Sequence, residues 1–148
     1  MKRLISIILI SISIFALCSC ANLEEYTDVD EFIPMLEDLL DEGWDDANKV
    51  IKSDDGKTLT IEVWGEGVSV IAVEAAKGDQ EALAYWYKLG NQLKGVAQDT
   101  YDLAKDNCDD DIEIVFSYVD EFNQDTVLLS YDGDGNLVRD IVAESQGY

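Results

Sequence analysis

The residues of this chain best placed for chemistry lie near its C-terminal end, in Asp132-Gly133-Asp134-Gly135-Asn136. Side-chain oxygens at alternate positions open an EF-hand loop, because a hard cation such as calcium needs several oxygen ligands from one short stretch. The pattern then departs from that loop. The position of the sharp-turn glycine holds Leu137, and that of the closing bidentate glutamate holds Ala143, with Glu144 one residue late. A plain hairpin turn competes, since Asp-Gly between Tyr131 and Leu137 is a strong short-range hairpin signal. The hairpin is the preferred reading. Asp132, Asp134 and Asn136 stay as candidate ligands of a weak calcium site, and no other cofactor is expected.

Two further sets of residues have functional chemistry. Paired carboxylates act as acid and base on glycans, and Glu62 with Glu66, or the run Asp109, Asp110 and Asp111, supplies pairs. With 32 acidic residues in the chain, pairs arise by chance and no spacing stands out. Tyr85, Trp86, Tyr87 and Tyr101 share one helical segment, with Trp44 and Trp64 elsewhere. Trp86 falls on the apolar stripe, so Tyr85 or Tyr87 points away from it and offers an aromatic patch for a peptide or sugar. Tyrosines flanking a buried face are the commoner arrangement. The chain has no histidine, which removes His-based triads, His–Cys dyads and imidazole metal sites.

The cysteines read as an address. Met1, Lys2 and Arg3 precede the apolar run at residues 4–17, LISIILISISIFAL, and polar ANLEEYTDVDE follows. A charged start, an apolar core and a small-residue exit are the layout of a secretory signal. The run is too short to span a membrane, which takes roughly 20 apolar residues. The exit, Leu17-Cys18-Ser19-Cys20, resembles the bacterial lipobox. That resemblance implies cleavage between Ser19 and Cys20 and diacylglycerol on the Cys20 thiol. Cys18 fits less well, because bulky Leu17 stands where a small residue is wanted. A disulfide between Cys18 and Cys20 would strain its ring. Cys108 is then the one cysteine of the mature domain, so no internal disulfide framework exists. Asp106, Asp109, Asp110 and Asp111 surround it with negative charge that raises a thiol pKa, and the expectation is a buried, structural thiol.

Removal of residues 1–19 leaves 129 residues, enough for one domain with a real core. Lys2 and Arg3 leave with them, so 8 basic residues face 32 acidic ones, a net charge of −24. Charge of this sign and size repels nucleic acid and anionic membrane surfaces. It suits cations, a basic peptide or protein partner, or simple solubility.

Residues 20–29 read as a polar tether. From Asp30 the period becomes helical: Phe32, Leu36, Leu39, Leu40 and Gly43 recur at three- and four-residue spacing over about residues 30–48. Ser53-Asp54-Asp55-Gly56 is a turn. KTLTIEVW alternates as a half-buried strand, Gly65-Glu66-Gly67 turns, and GVSVIAVEA reads as a returning apolar strand. Gly78-Asp79 opens a long helix whose stripe runs through Leu83, Trp86, Leu93, Val96, Thr100 and Leu103. Alternating strands follow at Ile112 to Tyr118, Val127 to Tyr131, and Leu137 to Ile141, separated by DEFNQD and DGDG. The expected fold is α+β, a two-layer sandwich in the order α-β-β-α-β-β-β. Its antiparallel sheet has about five strands, with two helices on one face, in a single domain over residues 30–148.

The layout of lipobox, acidic helix, KTLTIEVW hairpin, long helix and IEIVFSYVDEFNQDTVLLSY resembles small bacterial lipoproteins grouped as a domain of unknown function. The likeness implies a location and a fold and carries no activity. The function expected is a non-enzymatic interaction module, lipid-anchored on the extracytoplasmic side of the cell membrane. Its rival is a small cell-envelope hydrolase using paired carboxylates. Two carboxylates converging in a concave pocket would favour the hydrolase.

Overall fold

A computed structural model describes residues 29–45, 47–108 and 111–147. The apolar run, Cys20 and residues 20–28 of the tether lie outside the described residues, as do Asp109 and Asp110. Helix α1 (Val29–Trp44) forms because Val29, Phe32, Leu36, Leu40 and Trp44 recur every three or four residues and are all buried. It ends earlier than its acidic, helix-compatible continuation suggests. Asp45 turns left-handed at φ 47°, and the Asn48 side-chain amide donates back to Asp41 at 2.7 Å. The chain then leaves as strand β1 (Asn48–Lys52), a strand not expected from the sequence, where the helix is expected to run to about residue 48 and the turn to begin at Ser53.

Strand β1 pairs antiparallel with β2 (Thr58–Val63), Val50 opposite Ile61. The Asp55 carboxylate organises the loop between them, accepting from the Ser53 hydroxyl at 2.6 Å and the Lys57 backbone N–H at 3.1 Å. Those two donors, the Ser53 hydroxyl foremost, hold the Asp55 carboxyl below its ordinary range.

The hairpin expected between KTLTIEVW and GVSVIAVEA is not formed. The segment read as a returning strand is helix α2 (Val68–Ala76), with Val68, Ser69, Ala72 and Ala75 buried along one side. Small residues at helical spacing let this helix lie close against its neighbours, and that packing overrides the β-preference of its valines. α2 packs on helix α3 (Gln80–Asn107) and on the short C-terminal helix α4 (Ile141–Gln146). The reason for a helix here is topological. β2 pairs with β3 (Glu113–Val119) in parallel, Ile61 opposite Phe116, so the chain must cross the sheet between them. Parallel neighbours need a crossover of a dozen residues or more, and α2 with α3 provides it.

Strands β4 (Val127–Asp132) and β5 (Leu137–Asp140) complete the sheet as antiparallel neighbours, giving the order β1-β2-β3-β4-β5. The fold is thus α+β in two layers, and two corrections apply to the expected one. The sheet is mixed, not antiparallel throughout, and the element order is α-β-β-α-α-β-β-β-α. One sheet face carries Leu59, Ile61, Val63, Ile114, Phe116, Tyr118 and Leu129, all buried. α1 covers it with Trp44, whose ring centroid lies 5.8 Å from that of Phe116. α3 covers it with the buried stripe Trp86, Leu89, Leu93, Val96 and Thr100. At 28 residues, about 42 Å, α3 is long, yet no described helix is both long and apolar enough to cross a membrane. Asp140 closes the C-terminal end. Its carboxylate accepts from the indole N–H of Trp86 at 2.9 Å and caps α4 through the Val142 and Ala143 amides. The sequence reading had run β5 through Ile141, but this cap starts α4 at that residue.

Candidate functional site: the groove between α2 and α3

The turn at residues 132–136 is built as the β4–β5 hairpin. The Asp132 carboxylate accepts from the Asn136 backbone N–H at 2.7 Å and from the Asn136 side-chain amide at 3.0 Å. Two of the three candidate calcium ligands therefore bond each other. The third, Asp134, has its carbonyl accepting from the Gln98 side chain at 3.3 Å. Donation from Asn136, foremost by its side chain, holds the Asp132 carboxyl below its ordinary range. Among the described residues no group of three or more acidic, cysteine or histidine side chains converges as if to hold a metal ion.

The two glycines of this turn have a tertiary cause. A Cβ on Gly133 would stand 2.7 Å from Cβ and Cγ of Tyr101, and one on Gly135 would stand 2.8 Å from the side chains of Gln98 and Lys94. Gly135 also has φ 80°. The turn lies directly on α3, and only glycine lets the backbone approach that closely.

Beside the turn is a polar cleft of about 320 Å³, lined by Asp111, Glu113, Asp132 and Asp134 with Tyr101 as its aromatic wall. Four carboxylates gather in this concavity. A glycan-cleaving pair needs one carboxyl kept protonated by its surroundings. Asp132 is shifted the opposite way, towards the ionised form. The carboxyl that burial raises, with Asp102 adding to the effect, is Asp99 on α3, outside the cleft lining. Glu62 and Glu66 lie apart from the cleft, on β2 and in the turn after it.

A second concavity has a different character. α2 stops in a left-handed glycine cap: Gly78, at φ 89°, donates to the Ala75 carbonyl at 2.9 Å, and Asp79 donates to the Glu74 carbonyl at 3.1 Å. This pair of bonds is the Schellman arrangement. Asp79 at once caps the next helix, its carboxylate accepting from the Ala82 N–H at 2.9 Å. The two helices therefore meet at a tight corner, and a groove of about 250 Å³ opens between them. Val70 and Ile71 of α2 and Ala82 and Tyr85 of α3 form its apolar lining, with Glu74, Asp79 and Glu81 at the edges. Val70 is 59% exposed, and Val73, one turn on, is 52% exposed. Two valines in the open on one short helix have no role in the core.

The aromatic set separates accordingly. Trp86 is buried, Tyr87 is exposed, Tyr85 enters the groove and Tyr101 the cleft. Cys108 is buried at the end of α3. The groove's floor was missed in the sequence because Val70 and Ile71 were placed on a strand. The signal available was the three-residue spacing of Ser69, Ala72 and Ala75. A comparison of the chain with protein-family models, with characterised proteins and with solved structures found no match.

Proposed function

We propose that this protein is a lipid-anchored binding module, tethered through Cys20 on the extracytoplasmic side of the membrane, that docks a partner and performs no catalysis. The observation that carries the reading is the apolar groove between α2 and α3, where Val70 is held open to solvent beside the partly buried Ile71, Ala82 and Tyr85. A groove of this kind on a short, rigid helix corner suits recognition of a peptide or helix. The Leu17-Cys18-Ser19-Cys20 motif and the likeness to small bacterial lipoproteins support the anchor. In the hydrolase alternative, the polar cleft would have to work with Asp132 committed to Asn136.

Two measurements test the reading. In a bacterial host, Cys20→Ala should release the protein from membranes or leave the signal unprocessed; unchanged membrane association overturns the anchor. A photo-reactive amino acid placed at Val70 should yield a cross-linked adduct in intact cells, and one placed at exposed Asp38 of α1 should not. Equal labelling at both positions, or none at either, overturns docking at the groove.

A further inference from the structure

Resting on that reading, we infer that the groove takes a basic amphipathic segment: one apolar anchor side chain seated between Val70, Ile71, Ala82 and Tyr85, with lysine or arginine beside it facing Glu74, Asp79 and Glu81. The size argues for an anchor. At about 250 Å³ the groove is smaller than the roughly 300–1,000 Å³ of small-molecule sites, and it is open on one side. A single large side chain fills such a space, as the central residue of a helix-in-groove contact does.

The charge argues for the sign of the partner. All three ionisable side chains at the edge of the groove are acidic. Lys77 is ion-paired to Glu74 at 2.8 Å, is not in the lining, and partly neutralises one of the three. Asp79 is already engaged as the cap of α3, accepting from the Ala82 N–H, which leaves Glu81, in the first turn of the same helix, the acid less committed by hydrogen bonds. An acidic or neutral partner would desolvate these carboxylates with nothing in return, whereas a cation beside the anchor pairs with them. The chain as a whole, at a formal net charge of −22, steers the same class of partner towards it.

The test must separate docking in the groove from general attraction to an acidic protein. The full chain in non-ionic detergent is titrated with three labelled peptides of equal length: lysines and leucines in helical spacing, lysines alone, and glutamates and leucines. Each is also titrated against V70D and E81K chains; both positions are solvent-accessible, and circular dichroism confirms that the variants stay folded. The lysine–leucine peptide should bind tightest and lose about tenfold in affinity in each variant. Val70→Asp is the decisive change. It adds a negative charge, so diffuse attraction predicts equal or tighter binding, while docking predicts loss. Equal binding of the lysine-only and lysine–leucine peptides, indifferent to Val70→Asp, overturns the inference and the groove together. Binding of the glutamate–leucine peptide that Val70→Asp abolishes overturns the basic partner while leaving the binding module standing.

Discussion

The tyrosines show how position in the fold sets the chemistry of one residue type. Tyr118 lies on the covered sheet face, and burial pushes its phenol up to about 12 against a donated bond from Trp44 that acts the other way. Tyr131, half-buried, is raised in the same direction by burial and by nearby Asp140. A phenol whose folded pKa exceeds its unfolded value of 10.0 contributes stability below pH 10 that is lost as pH rises towards 12. For Tyr118 the loss is on the order of 3 kcal/mol, from about 1.4 kcal/mol per pH unit. Denaturant melts between pH 10 and 12 should therefore show a steep fall in the wild type. Tyr118→Phe should flatten most of it, Tyr131 keeping a remainder, and should cost about 1 kcal/mol at neutral pH by leaving the Trp44 donor unpaired. An unchanged alkaline slope in the variant would place Tyr118 in contact with solvent.

At the scale of elements, the β4–β5 turn and α3 are one packed unit. Gly133 donates to the Ile114 carbonyl at 2.9 Å, which pins the turn to β3 while Tyr101 presses on it from α3. The spacing of aspartates and glycines in this turn, which suggests a cation loop, is explained by an Asp–Asn bond and by the nearness of a helix. Gly133→Ala should destabilise the domain by about 1–3 kcal/mol through overpacking against Tyr101. Tyr101→Ala in the same chain should recover part of that loss, because it removes the atoms the new methyl would strike. A double-mutant cycle in urea measures the coupling. Purely additive losses would show that the turn does not rest on Tyr101.

For the whole molecule, charge dominates. Among the described residues Lys52 pairs with Asp30, Lys77 with Glu74, and Arg139 with Glu144, and across the chain 32 acidic residues face only 10 basic ones. Folding brings those charges closer together than they stand in the unfolded chain, so repulsion opposes it. Sodium chloride should raise the melting temperature by screening, over a Debye length of roughly 10 Å at 0.1 M. Calcium at matched ionic strength should add little beyond that, because Asp132 is held by Asn136. A large calcium-specific rise abolished by Asp134→Asn would establish a cation site in this turn. The same screening should weaken a basic partner, so stability and binding respond to salt in opposite directions.

Local pattern alone determined a good part of this protein. The alternation of Leu59, Ile61 and Val63, and of Ile114, Phe116 and Tyr118, marked two central strands, and the Trp86–Leu93–Val96 stripe marked the helix over them. Their joint burial was legible because each face repeats at the period of its own element. Three features depended on contacts remote in sequence. β1 is a strand because β2 lies beside it, although NKVIK has little pattern of its own. VSVIAVEAA is a short apolar run that periodicity cannot assign. It becomes a helix because parallel pairing of β2 with β3 demands a crossover and because Ser69, Ala72 and Ala75 fit against neighbouring helices. The groove follows from that choice: as a strand the segment would have turned Val70 and Ile71 to opposite faces, and only the helix corner at Gly78 brings them to Ala82 and Tyr85.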